Sequence, residues 1–212
     1  MSVTVKICGI STPEAIAAAA GGGAAMLGFV FFPKSPRNVS LEQAAALLPL
    51  VPAGIVKVAL LVGPDDALAL AVTRLGFDLM QLHGGETPER VVEIKALTGL
   101  PVMKAVGIRG PEDVARAHAF EAVADYVLLD AKAPEGARLP GGNAVSFDWN
   151  LIRGETWERP WLLAGGLGAD NLADAVRASG ATFVDVSSGV EDAPGHKSPE
   201  KIREFLALAK TL

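Results

Sequence analysis

The chain has 212 residues, half of them hydrophobic and a fifth charged, with 24 acidic side chains against 19 Lys plus Arg and a formal net charge of −5. This is a globular composition rather than a disordered one, and with no block of basic residues it disfavours nucleic acid or an anionic membrane as partner. One cysteine cannot form an intrachain disulfide and the N-terminus lacks a basic region followed by an apolar core, so a cytoplasmic protein is expected.

At the start of the chain Val3, Val5 and Ile7 alternate with Thr4, Lys6 and Cys8. Side chains alternate across a strand, so Lys6 and Cys8 share one face and the apolar face packs outward against helices. A lysine so placed can favour thiolate over thiol, although a free cysteine is more often a small buried hydrophobe. Thr12-Pro13-Glu14 reads as an N-cap with proline at the first helical position, and the alanine-rich run behind it ends at Gly21-Gly22-Gly23. No charge lies between Glu14 and Lys34, a length at which a membrane span is considered. The glycines break that stretch, and a capped helix and a strand account for its halves, so no span is expected.

Met26 to Phe31 reads as a buried strand, followed by a proline-stiffened loop to Arg37 and a capping box at Ser40 and Gln43. Gly54 to Val62 is a β-branched strand before a helix at Pro64-Asp65-Asp66, and Asp78 to Leu82 a shorter strand before the cap Thr87-Pro88-Glu89. Pro101 to Val106 and Asp125 to Leu129 are strands five and six, with a helix from Pro111 to about Phe120 between them. The segment from Asp130 to Asp148 is long for a connection and rich in Gly and Pro, as functional lids or disordered segments are. Trp161 to Ala164 leads through Gly165-Gly166-Leu167-Gly168 into a helix near Asp170. Phe183 to Ser187 is strand eight, and Ser198-Pro199-Glu200 caps a last amphipathic helix. Right-handed crossovers allow an open doubly wound sheet or a closed barrel, and eight strand-helix units of similar size favour a closed (β/α)8 TIM barrel occupying residues 1 to 212 as one domain.

In such a barrel the site lies at the C-terminal ends of the strands. The side chains there are Cys8 after strand one, Arg37 past strand two, Gln81 and His83 at strand four, Asp130 at strand six, and Asp185 and Ser187 at strand eight. Tyr126, Leu128 and Asp130 share a face, and if it points inward Asp130 looks across the mouth toward Cys8, a candidate acid-base pair. Gly165-Gly166-Leu167 and Ser187-Ser188-Gly189 follow strands seven and eight, where backbone N–H groups commonly hold phosphate. Arg37 suits a second anion. No His or carboxylate cluster has metal-ligand spacing, so neither metal nor cofactor is expected.

Seven segments in order, Lys6-Ile7-Cys8-Gly9-Ile10, Gly28 to Phe31 with Lys34 to Arg37, Gln81-Leu82-His83-Gly84, Leu128-Leu129-Asp130, Phe147-Asp148-Trp149, Ala164 to Leu167 and Val184 to Glu191, resemble the phosphoribosylanthranilate isomerase family. The resemblance implies an Amadori rearrangement in tryptophan biosynthesis, from N-(5-phosphoribosyl)anthranilate to 1-(2-carboxyphenylamino)-1-deoxyribulose 5-phosphate. It further implies Cys8 as general base, Asp130 as general acid, Arg37 on the anthranilate carboxylate, and backbone around Gly166 and Ser188-Gly189 on the 5-phosphate. His83 and Asp185 stand at family positions with secondary contacts. A thiolate base and a protonated acid oppose the ordinary states of those groups at neutral pH, so the site must shift both.

Gly85 replaces an Asp frequent after His-Gly, and Gly141-Gly142-Asn143-Ala144 lacks a glycine common there. The partner expected is a small phosphorylated substrate, taken by a monomer or a homodimer. The competing readings are another sugar-phosphate barrel, of the epimerase or indole-glycerol-phosphate synthase type, and a silent phosphate-binding barrel.

Overall fold

A computed structural model describes residues 2–133, 136, 141–142 and 145–212. Its strands are β1 (Thr4–Cys8), β2 (Met26–Phe31), β3 (Val56–Leu61), β4 (Leu79–Leu82), β5 (Val102–Ile108), β6 (Tyr126–Ala131), β7 (Trp161–Leu163) and β8 (Phe183–Val186), then β9 (Glu191–Ala193) and β10 (His196–Lys197). The helices are α1 (Pro13–Gly22), α2 (Leu41–Leu47), α3 (Asp66–Arg74), α4 (Pro88–Thr98), α5 (Pro111–Ala119), α6 (Leu172–Ser179) and α7 (Pro199–Ala209). Strands β1 to β8 pair in chain order and β8 closes onto β1 in parallel, with Lys6 opposite both Met26 and Asp185. The closed (β/α)8 barrel is thus present, and no helix of the described residues is long and apolar enough to cross a membrane.

Alternation along the strands sorts side chains into two apolar regions. Met26, Val58, Leu79, Met103, Leu128 and Leu162 fill the barrel interior, and Cys8, Val30 and Leu60 form a smaller cluster toward its mouth. Val5, Ile7, Leu27, Phe29, Met80 and Leu82 belong instead to the large cluster shared with the helices. Each buried aliphatic side chain contributes about 1.5–3 kcal/mol of transfer free energy.

Local signals explain most element ends. Ser40 and Gln43 make the capping box reciprocally, at 3.0 and 2.8 Å. Helix α1 runs through Gly21 and Gly22, and only Gly23, at φ +87°, turns left-handed to end it. Two expectations need correction, and one element is additional. Between β6 and β7 the described residues hold no α-helix, only a 3-10 turn at Trp149–Ile152 whose cap Asp148 accepts from Asn150 N–H at 3.0 Å. Helix α6 starts at Leu172 rather than near Asp170, because the Asn171 side chain is engaged with Gly168 N–H and Gly166 C=O at 2.9 Å each, which tightens the glycine turn. The short antiparallel hairpin of β9 and β10 was not foreseen.

Candidate active site

Cys8 ends β1 pointing inward, buried, with Lys6 beneath it on the same face. Lys6 is wholly buried and donates to Asp185 Oδ1 at 2.7 Å from the neighbouring strand β8. Gly28 on β2 leaves the space both need, since a Cβ there would lie 3.0 Å from Cys8 Sγ and 3.1 Å from Lys6 Nζ. Burial pushes the Cys8 thiol up; the Lys6 ammonium pulls it down, the Asp185 carboxylate pushes with burial, and Lys197 adds a smaller downward pull, leaving the thiol above its ordinary value. The expected help from Lys6 is present but outweighed. Burial lowers Lys6 itself, yet Asp185 and Cys8 together hold it above the ordinary lysine value.

Arg37, in the loop after β2, is also buried and donates to Glu191 through Nε at 2.7 Å and Nη2 at 2.8 Å, a bidentate pair. Lys197 from β10 donates to the same carboxylate and to Ser187 C=O at 3.0 Å. Glu191 stays below its ordinary range although burial opposes that, because Arg37 and Lys197 both donate to it. A guanidinium has five N–H donors, so the Nη1 edge remains; it faces Gly142, whose Cβ would come within 2.6 Å of Nη1. Arg37 can therefore take a second carboxylate only along that edge.

At β4, His83 Nε2 lies 3.1 Å from Asp130 Oδ2 and His83 Nδ1 lies 3.0 Å from Gln81 Nε2. Asp130 falls inside β6, opposite Gly107, and its Oδ1 accepts from Ala131 N–H at 2.8 Å. Gly141 covers the pair so closely that a Cβ would sit 2.5 Å from His83 Nε2. The turn carrying His83 is fixed from below by Glu86, which accepts from Gly63 N–H at 2.8 Å and Gly84 N–H at 2.9 Å and pairs with Lys104 at 2.9 Å. The carboxyl of Glu86 is held below its usual range against burial, first by Lys104 and then by Gly63 N–H.

The turns after β7 and β8 meet. A Cβ on Gly189 would fall 1.9 Å from Leu167 C=O, so only glycine lets the two turns touch. The backbone N–H groups of Gly166, Ser188 and Gly189 donate to no acceptor among the described residues. The cavity at the mouth, about 760 Å³ including space open to solvent, is lined by nine of the ten expected site residues: Cys8, Arg37, His83, Asp130, Gly165, Gly166, Asp185, Ser187 and Ser188; Gly189 is not among its lining residues. Among the described residues no group of three or more His, Cys, Asp or Glu is arranged to hold a metal. Asn143 and Ala144, the second half of the departure from the family pattern, lie outside the described residues.

The sequence profile of the family described as N-(5'phosphoribosyl)anthranilate (PRA) isomerase matches residues 5–207. The chain belongs to the phosphoribosylanthranilate isomerase family. A member from Rhodospirillum centenum is 56% identical over the whole of both chains, and one from Cereibacter sphaeroides is 55% identical, covering 98% of this chain and 99% of its own. Among solved phosphoribosylanthranilate isomerases, the Thermotoga maritima structure superposes with a TM-score of 0.88 at 35% identity, covering 99% of this chain and 100% of the other. Another, in complex with reduced 1-(o-carboxyphenylamino)-1-deoxyribulose 5-phosphate, superposes at 0.84 with 34% identity and the same coverage. Nothing in the sequence marks a part for Lys197, Glu86 or Lys104 at the site. Lys104 sits in an apolar strand with no local sign of its partner, and Lys197 reads as one more polar residue before a helix cap.

Proposed function

We propose that the chain isomerises N-(5-phosphoribosyl)anthranilate to 1-(2-carboxyphenylamino)-1-deoxyribulose 5-phosphate, a step of tryptophan biosynthesis, with Cys8 as general base and Asp130 as general acid. The observation that carries this reading is the convergence of Cys8, Asp130, Arg37 and the turns of Gly166 and Ser188, whose N–H groups donate to no acceptor among the described residues, on one cavity. Asp130 gives its proton to the ribose ring oxygen as the C1–O bond breaks and the anilino nitrogen supplies its lone pair, leaving a Schiff base. Cys8 thiolate takes the C2 proton, and the electrons of that C–H bond neutralise the iminium to an enolamine. Tautomerisation to the ketone completes the aldose-to-ketose change. Arg37 pairs with the anthranilate carboxylate and Gly166, Ser188 and Gly189 hold the phosphate, which sets the two reacting carbons between acid and base.

The test is the loss of substrate fluorescence from freshly generated phosphoribosylanthranilate. Wild-type protein is expected to turn over, and Cys8→Ser to lose about 10²–10⁴-fold in kcat, the range general base catalysis supplies. Full turnover by Cys8→Ser would sink the assignment of the base.

A further inference from the structure

Ser187 C=O and Ser188 N–H are the two ends of one peptide unit in the turn after β8. Ser188 lines the cavity, and its N–H donates to no acceptor among the described residues. The carbonyl end is occupied: Lys197 Nζ donates to it at 3.0 Å, beside a longer contact from Val190 N–H at 3.4 Å. In a planar trans peptide the C=O and N–H bonds point in opposite directions. A cation on the oxygen therefore stands behind the N–H, on the side away from whatever that N–H meets.

Lys197 comes from β10, its side chain has no exposed surface, and it is not among the residues lining the cavity. It can act on a ligand only through other groups. Its three N–H donors meet Ser187 C=O, Ser187 Oγ at 3.4 Å and Glu191 Oε1. Burial pulls Lys197 below its ordinary value and Glu191 opposes that; three acceptors around the nitrogen hold it as the ammonium. Gly9 leaves the room, since a Cβ there would lie 3.2 Å from Lys197 Nζ and 2.7 Å from Arg37 Cδ. Glu191 is shared with Arg37, so the buried group of Arg37, Lys197 and Glu191 carries one positive charge in excess. A buried charge without its own partner is costly in the empty site, and an arriving phosphate supplies that partner.

We propose that Lys197 is a positioning residue for the phosphate: by donating to Ser187 C=O it polarises the Ser187–Ser188 peptide, and Ser188 N–H becomes a stronger donor to the phosphate than an unaided amide. This rests on the reading that the turn after β8 holds the phosphate. Gly166, assigned to the same phosphate, provides an internal comparison. The other end of its peptide, Gly165 C=O, accepts from no lysine or arginine among the described residues.

The experiment titrates inorganic phosphate into the ¹⁵N-labelled full chain and follows the Ser188 and Gly166 amides. Both signals are expected to move in wild type. Lys197→Met should bind phosphate about tenfold more weakly, with the Ser188 amide proton at saturation upfield of its wild-type position and that of Gly166 unchanged. Lys197→Gln, which keeps a neutral donor to Ser187, should fall between the two. Phosphate affinity in Lys197→Met within about threefold of wild type, or Ser188 and Gly166 displaced alike, overturns the proposal; the second result would mean that the substitution merely loosens the mouth. Where neither variant folds, ¹⁵N spectroscopy of the wild-type lysine side chains decides, because a neutral amine at Lys197 at pH 7 also overturns it. A wild-type Ser188 signal that ignores phosphate, in protein that still turns over phosphoribosylanthranilate, would remove the phosphate reading of this turn and the proposal with it. Failure of that reading is thus seen in wild type, and failure of the role of Lys197 in the variants.

Discussion

Lys6 and Asp185 are register partners on adjacent strands, and their side chains meet at 2.7 Å inside the barrel directly beneath Cys8. The pair sets the charge that the thiol experiences. Asp185→Asn removes a carboxylate that pushes Cys8 up, so the acid limb of kcat/KM against pH is expected to move to lower pH, whereas Lys6→Met moves it higher. Both variants lose stability, by about 3–5 kcal/mol, because each strands one buried charge. Identical limbs in wild type and both variants would remove Cys8 as the titrating base.

The same shift predicts the wild-type profile. With the thiol raised above its ordinary value of about 8.5, kcat/KM should still be rising at pH 8. Lys197→Met, which removes a cation that pulls the thiol down, should displace the rise further upward. A profile already flat at pH 7 would contradict this.

Arg37→Ala is expected to raise KM about 10- to 100-fold with a smaller change in kcat, the worth of a charged hydrogen bond or two. It also leaves Glu191 with Lys197 as its remaining charged donor, so thermal stability should drop. An unchanged KM counts against the carboxylate contact.

Glu86 makes a sign test of the buried pair with Lys104. Its folded value is depressed, so its contribution to stability is fully present above the unfolded glutamate value of about 4.3 and is lost as pH falls through the lower folded value. Glu86→Gln should cost about 3–5 kcal/mol at neutral pH by stranding Lys104, and the gap to wild type should close below about pH 4. Denaturant melts at pH 7 and pH 3 measure both. A gap independent of pH would mean that the charge of Glu86 does nothing for the fold.

The barrel was legible because parallel strands and their helices write regular periods, and the inward face of Lys6 and Cys8 followed from alternation alone. The site was legible where a side chain follows a strand, as Arg37, His83 and Ser188 do. What escaped depends on distant pairing. Glu191 and Lys197 stand in a polar stretch that looks solvated, and their role comes from Arg37, 154 residues away from Glu191. Asp130 lies within β6 rather than beyond it because Ala131 still pairs with Ile108, although the apolar run stops at Leu129.

The hairpin of β9 and β10 returns to the mouth, where Gly195 packs against Pro36 in the loop that carries Arg37. Through Glu191 and Lys197 it joins Arg37 to Ser187, beside the turn assigned to the phosphate. On the proposed reading, the groups that grip the two anionic ends of the substrate are therefore one rigid caliper whose span is fixed before anything binds. A substrate homologue lengthened or shortened by one carbon between phosphate and carboxylate would reach only one jaw, and its KM should rise about as far as that of Arg37→Ala with the natural substrate.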